Sequence, residues 1–424
     1  MAGLLVGFDL CDVYSHICVV NHEANRLEDI FYDDTNHNLM MPTAICKCRG
    51  IDQWKIGQDA LESALSNTGI IVDKLLRLVS QEGTSTLEGV CYRADELLVL
   101  YVQYALEKIL QLQNEEDYIE QIVFTLRKLD IPIMDAIMQC MENMKIKSNN
   151  VRIISHTESF MFYLLSQKPE VYANTATLFD LSDDSMMYYE CKISRGMNPQ
   201  ICQVTKEKLE DNFNLRILEE PSGKRMADSI MFGCANRLLE KKIVSSVCLS
   251  GKGFENVSEW DGRFLKYICN RRKVYYEPLL FVKGAALLAV DRTRSRSAYP
   301  YICVCEGRIG STISMEVIAK AVPQKITLVK AGDNWYSAQT TLDFIIDGED
   351  ALTLEVTPIG QKKGKMIRIP FDQFPPRPNK TTRVSLKMIF ENEDVLRLEI
   401  KDLGFGSMFP SSGITIMREL KLNG

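Results

Sequence analysis

A chain of 424 residues exceeds what one hydrophobic core usually serves, so two or three folding units are expected. With 46% hydrophobic and 25% charged residues it has a globular composition. Its 50 basic and 56 acidic side chains leave a net charge of −6, which argues against broad nucleic-acid binding.

No stretch approaches about 18 uncharged apolar residues, so no membrane span is expected. The opening MAGLLVGFDLCDV has neither a basic start nor a sustained apolar run, so no secretory leader is expected. The 13 cysteines are scattered. Cys46 with Cys48, and Cys303 with Cys305, have a spacing that on a strand puts both thiols on one face. Neither pair has a second pair of Cys or His close by to complete a tetrahedral site, so the cysteines read as reduced thiols of a cytoplasmic chain.

Residues 3–10 and 14–20 form a predicted strand pair joined by a tight turn, and 41–48 another strand. Apolar residues three and four apart predict helices over 56–67 and 93–112. Then the chain alternates: strand 119–126, helix 131–144 with a proline near its first turn, strand 151–155, helix 158–167. This order predicts helices covering a largely buried sheet. A helix over 223–240, a strand entering a glycine turn over 243–254, and helices over 264–270 and 277–290 follow, the last with Pro278 in its first turn. Gly284-Ala285-Ala286 in that last helix predicts close packing.

The polar run DRTRSRSAYP at 291–300 breaks the pattern. Beyond it, alternating runs at 325–330, 341–346, 351–358, 365–371, 382–391 and 395–402 are separated by Gly, Asp, Asn and Pro, as in an antiparallel β domain. The predicted organisation is a first lobe over 1–175, a second over 176–292, a linker over 293–300 and a β-sandwich over 301–424.

One turn is written twice. VGFDLCDVY at 6–14 and LFDLSDDSMMYY at 178–189 both place Phe-Asp-Leu at a strand end, with Asp9 and Asp180 171 residues apart (180 − 9). Facing lobes would bring these two carboxylates to a shared cleft. The alternative is that each aspartate caps its own turn through backbone hydrogen bonds.

GFDLCDVYS at 7–15 resembles the first phosphate loop of the Hsp70 chaperones, of the actin, sugar-kinase and Hsp70 ATPase superfamily. LFDLSDDSMMY resembles the second phosphate loop, VCLSGKGF at 247–254 the adenosine strand and turn, and EPLLFVKGAALLAV the closing helix. FPPRPNKTTRVSLKMIFENEDVLRLEIKD at 374–402 is similar to the end of the Hsp70 substrate-binding sandwich. The resemblance spans nearly the whole chain. It implies a two-lobed α/β nucleotide-binding fold with ribonuclease-H-like lobes, followed by an antiparallel β-sandwich.

The departures fall on the chemistry. Phosphate loops use small residues so that backbone N–H groups can turn toward the anion. Where the family has Gly-Thr-Thr, this chain has Cys11, Asp12 and Val13; where it has three glycines, Ser182, Asp183 and Asp184. The added carboxylates repel phosphate unless a metal such as Mg²⁺ or a lysine intervenes. The family's catalytic lysine falls at Leu61, with Lys55 nearby, its cleft glutamate at His156, two residues before Glu158, and a later aspartate at Met187. The outer subdomains are expected to be trimmed, the helical lid absent and the interdomain linker without the family's acidic-leucine run.

With these departures, the resemblance implies a non-catalytic or weakly catalytic Hsp70-like module that binds or scaffolds a protein or peptide without a cofactor, a homo-oligomer being left open. In the β domain an exposed subset of Tyr336, Phe344, Met366, Phe371, Met388 and Phe390 would form the groove. The alternative is an ATP-dependent chaperone using ATP or ADP with Mg²⁺. Its contacts would be Asp9, Asp12, Asp180, Ser182, Ser185, Gly251 and Gly253, with Asp9 and Asp180 the candidates for catalysis and metal. A sugar-kinase-like phosphotransferase lacks a persuasive base and does not match the C-terminal half.

Overall fold

The computed structural model describes residues 3–21, 26–29, 40–112, 118–182, 185–194, 196, 199–210 and 214–422. Two compact units emerge: Met1–Ile193 with Val204–Pro300, and Ser194–Gln203 with Tyr301–Gly424.

In the first unit, β1 (Gly3–Leu10) is buried from Leu4 onward, as suits a central strand covered on both faces. It pairs antiparallel with β2 (Tyr14–Asn21), which pairs with β3 (Arg26–Asp29) and briefly with β4 (Met41–Pro42). A small insertion follows: β5 (Ala44–Cys48) lies between β6 (Trp54–Ile56) and β7 (Gly69–Asp73), flanked by α1 (Gly57–Leu65), α2 (Leu75–Ser80) and the hairpin β8 (Thr84–Leu87) with β9 (Val90–Arg93). Helix α3 (Ala94–Leu112) leads to β10 (Tyr118–Leu126), α4 (Ile131–Asn143) and β11 (Val151–Ser155). The sheet runs β11-β10-β1-β2-β3, with β10 parallel to both β1 and β11.

After α5 (His156–Leu165) the order is written again. β12 (Thr175–Ser182) pairs antiparallel with β13 (Ser185–Ser194), which neighbours β14 (Gln200–Glu210). Past α6 (Pro221–Leu239), β15 (Val244–Ser250) lies parallel to β12 and, past α7 (Arg263–Ile268), to β16 (Lys273–Tyr276). The strand order β16-β15-β12-β13-β14 matches that of the first sheet. Register makes the repeat specific: Asp9 stands opposite His16 and Phe8 opposite Ile17, while Asp180 stands opposite Met187 and Phe179 opposite Tyr188. Each of the four positions is offset by the same 171 residues that separate the two aspartates.

Helix α8 (Leu280–Arg292) closes the unit and packs on β1, β2, β10 and α5. It is apolar around its circumference, as a helix buried on several sides must be. At the α5–α8 crossing a Cβ on Gly284 would stand 2.0 Å from the Ser159 carbonyl oxygen, and Ser159 Oγ donates to the Phe281 carbonyl at 2.6 Å. Under the same helix, a Cβ on Gly7 would stand 2.5 Å from the Val282 carbonyl oxygen. The helix begins at Leu280, so Pro278 precedes its first turn rather than occupying it.

The run 293–300 groups with the first unit. Arg292 Nε donates to Gln121 at 3.0 Å, the Ala298 N–H donates to Asp291 at 2.7 Å, and Tyr299 packs edge-on against Phe162. Residues 293–298 are exposed, and the run is held at its two ends by these contacts. The division therefore falls after Pro300, and Ser194–Gln203, predicted within the second lobe, groups with the second unit.

In the second unit, Gln200–Gln203 pairs parallel with β17 (Tyr301–Val304). Two antiparallel sheets follow. One runs β19-β18-β21-β22, from β18 (Ser311–Ala319), β19 (Val322–Val329), β21 (Ala351–Pro358) and β22 (Lys365–Pro370); the other, β20-β23-β24-β25, from β20 (Thr340–Ile345), β23 (Arg383–Asn392), β24 (Val395–Gly404) and β25 (Thr415–Lys421). β23 and β24 alternate buried and open positions, so each sheet buries one face. Arg377 makes a bidentate pair with Asp402, both bonds 2.8 Å, and Asp402 also accepts the Gly404 and Ser412 N–H groups.

Candidate functional site

Parallel strands gather side chains at their carboxyl ends. Leu10 pairs with Leu126, and Leu126 with Ser155, so the ends of β1, β10 and β11 lie level. His156 then stands at the first position of α5, whose N-cap Ser155 accepts the Glu158 N–H. Period-two alternation turns Asp9 and Cys11 the same way, and the hairpin register adds His16 beside Asp9. In the second sheet Asp180 pairs with Ser250, immediately before Gly251. Both ends open into one cavity of about 910 Å³, lined among others by Asp9, Cys11, His16, His156, Ser182 and Lys252.

Among the described residues, the partners of the two aspartates are side chains rather than the backbone of their own turns. Asp9 Oδ1 lies 2.9 Å from His156 Nε2 and accepts from Cys11 Sγ at 3.4 Å, while Oδ2 lies 3.8 Å from His16 Nδ1. The His156 ring stacks on Phe281 with centroids 3.8 Å apart, which fixes its plane. Burial pushes the Asp9 carboxyl up, but His156 and His16 outweigh it and hold the group well below the usual carboxylate range. Asp180 Oδ1 accepts from Ser182 Oγ at 2.5 Å, and Oδ2 lies 3.6 Å from Arg127. Burial pushes Asp180 up, with Arg127 and Ser182 opposing it. The paired aspartates thus sit in environments that act in opposite directions.

Of the other predicted contacts, Ser182, Gly251 and Gly253 line the cavity, whereas Asp12 and Ser185 do not. Asp12 turns instead to the first turn of α2 and accepts the Arg77 N–H at 3.0 Å. Ser185 accepts from Arg127 and donates to the Ser182 carbonyl at 3.0 Å. Asp183 and Asp184 lie outside the described residues. The two glycines serve packing: a Cβ on Gly251, at φ +89°, would stand 2.2 Å from Ser182 Oγ, and one on Gly253 2.3 Å from Leu181. Neither Leu61, Lys55 nor Glu158 lines the cavity.

Sequence reasoning missed Arg127, His16 and Lys224. His16 was within reach, since counting across the first hairpin from Asp9 arrives at it. Arg127 follows β10 directly, but only the fold brings it to Asp180 on another sheet. Lys224 lines the cavity near the start of α6 and pairs with Glu259 at 2.5 Å.

One family model covers the first unit from β3 onward and leaves β1 and β2, with Asp9, Cys11 and His16, outside it. The chain belongs to the family described as a family of unknown function (DUF5716), C-terminal, whose model matches residues 26–306. Residues 308–422 match a second model, a domain of unknown function (DUF8552). No curated protein matches the chain.

Proposed function

We propose that this protein is a non-hydrolysing, Hsp70-like two-lobed module whose β unit binds a protein or peptide. Two sheets with the same strand order, joined through crossing helices over one cavity, support the actin/Hsp70-type reading of the first unit, with ribonuclease-H-like lobes. The observation that carries the non-hydrolysing part is the engagement of both strand-end carboxylates by the protein's own side chains. Phosphoryl transfer needs positioned cations and a nucleophile-orienting group aimed at the phosphate. Here Asp9 faces His156 and Asp180 faces Ser182 and Arg127, while the place of the family's lysine is held by Leu61. The 13 free cysteines suit a reducing compartment such as the cytoplasm. No described helix is long and apolar enough to cross a membrane.

The peptide-binding part draws on the second unit. Of the six side chains proposed for a groove, Phe371, Met388 and Phe390 are buried in the core, while Met366 is 58% exposed. A pocket of about 530 Å³ lies beside the loop after β24, lined by Arg383, Phe405 and Met408, and Met408 is 83% exposed. Apolar side chains left in solvent beside a concavity suit a peptide's side chains. Changing Met408 to Ser should weaken capture of peptides from a fluorescent library by roughly tenfold, the scale of a single interface anchor. Unchanged anisotropy titrations would remove this loop from the binding surface.

The ATP-dependent alternative draws on one observation: Arg216, Lys224 and Lys252 line a cavity roomy enough for a nucleotide. Calorimetry with Mg-ATP and a phosphate-release assay separate the two readings. We expect no hydrolysis above background, and no change in peptide affinity when Mg-ATP is added. Turnover that disappears in Asp180→Asn would establish the alternative.

A further inference from the structure

Asp9, Cys11 and His156 are buried, and their donor atoms all lie within 4.8 Å of one another. The separations are 2.9 Å from Asp9 Oδ1 to His156 Nε2, 3.4 Å from Cys11 Sγ to Asp9 Oδ1, and 3.9 Å from Cys11 Sγ to His156 Nε2. A Cys-His-Asp nucleophilic relay is a different arrangement. It uses both ring nitrogens, one toward the thiol and one toward the carboxylate. Here Nε2 faces both groups, and Nδ1 is buried without a hydrogen-bond partner. Sulfur, nitrogen and oxygen converge on one point.

We propose that Asp9, Cys11 and His156 bind one divalent transition metal of the Zn²⁺ class, with His16 or a cavity water as fourth ligand. Zinc bonds to sulfur, nitrogen and oxygen at about 2.0–2.3 Å. A tetrahedron with such bonds has edges of roughly 3.3–3.6 Å, so the three donors need shift by only a few tenths of an ångström. His16 stands opposite Asp9 across the hairpin, with Nδ1 3.8 Å from Oδ2, close enough to swing in. A thiolate and a carboxylate neutralise a divalent charge, which a buried site requires. Thiolate and imidazole select borderline metals, whereas Mg²⁺ and Ca²⁺ prefer oxygen ligands. The proposed site uses Asp9 without Asp180, whose carboxylate is engaged with Ser182 and Arg127.

On binding, the Cys11 S–H and His156 Nε2–H bonds break and their electron pairs form the metal–sulfur and metal–nitrogen bonds; the thiol proton leaves to solvent and the imidazole is left with its proton on Nδ1. The hydrogen bonds that Asp9 now receives from Cys11 and His156 are replaced by metal bonds. The site stands whether or not a nucleotide enters the cavity.

Titrating the chelator-treated 424-residue chain with Co²⁺ tests the proposal. We expect one equivalent to give the visible bands of tetrahedral cobalt with a near-ultraviolet sulfur-to-cobalt band, and Zn²⁺ to displace it. Cys11→Ser should abolish the sulfur band, and His156→Gln should weaken binding by more than about tenfold, with circular dichroism checking each fold. A sulfur band that persists in Cys11→Ser would overturn the proposal, as would failure of the wild-type chain to bind. If a variant misfolds, X-ray absorption of the zinc-loaded wild type decides: one sulfur in the first shell supports the site, and an all oxygen and nitrogen shell excludes it.

Discussion

Replacing Gly284 by alanine is expected to destabilise the first unit by about 3 kcal/mol or more, at or beyond the upper end for overpacking. The added Cβ would stand 2.0 Å from the Ser159 carbonyl oxygen, with further backbone atoms at 2.7 and 3.1 Å. Those atoms belong to α5, so no side chain can rotate away and a whole helix must shift. The movement would stretch the 2.6 Å bond from Ser159 to the Phe281 carbonyl and disturb Phe281, on which His156 stacks. Gly233 in α6 supplies the control, since nothing stands within 4 Å of its added Cβ. Alanine there should stabilise by about 0.5–1 kcal/mol through helix propensity. Urea unfolding of both variants, followed by hydrogen exchange over 156–165 and 280–292, measures the contrast. Equal stabilities would mean that the helices do not cross so closely.

Breaking the Arg377–Asp402 pair should cost the second unit about 3–5 kcal/mol, the scale for removing one partner of a buried ion pair. The Asp402 side chain is 0% exposed and that of Arg377 7%. Besides the bidentate pair, the carboxylate accepts two backbone N–H groups, and Arg377 donates to the Pro410 carbonyl at 2.7 Å. Asp402→Ala thus leaves the guanidinium without its carboxylate partner and two amides without their acceptor. Burial pushes the Asp402 carboxyl up, but Arg377 and the Ser412 and Gly404 bonds outweigh it and hold it well below the usual range. A carboxylate so depressed contributes its full stabilisation above the unfolded value of about 3.9 and loses it as pH falls toward the folded value. The stability gap between wild type and Asp402→Asn should therefore be constant from about pH 6 to 8 and narrow below about pH 4. Exchange protection over 383–421 measured across that range checks it; a gap widening in acid would contradict the assignment.

Much of the secondary structure was legible because it rests on local pattern. The strand at 119–126 and the helices over 93–112 and 131–144 were placed within a residue or two by apolar spacing. The hairpin at 84–93 and the short helix 75–80 were not, since their alternation is brief and several of their residues are exposed. β25 escaped for a similar reason, with Ile416 its one fully buried residue among largely exposed neighbours.

The repeated Phe-Asp-Leu turn was written in the sequence, and so was the loss of glycines beside it, because backbone geometry and hydrophobic burial act through residue type and spacing. The partners of the two aspartates were decided only by tertiary structure. Asp9 meets His156, and Asp180 meets Arg127, across separations in the chain that no local period records. Side-chain electrostatics depends on distance and burial in space, and those exist only once the two sheets have closed over their common cavity.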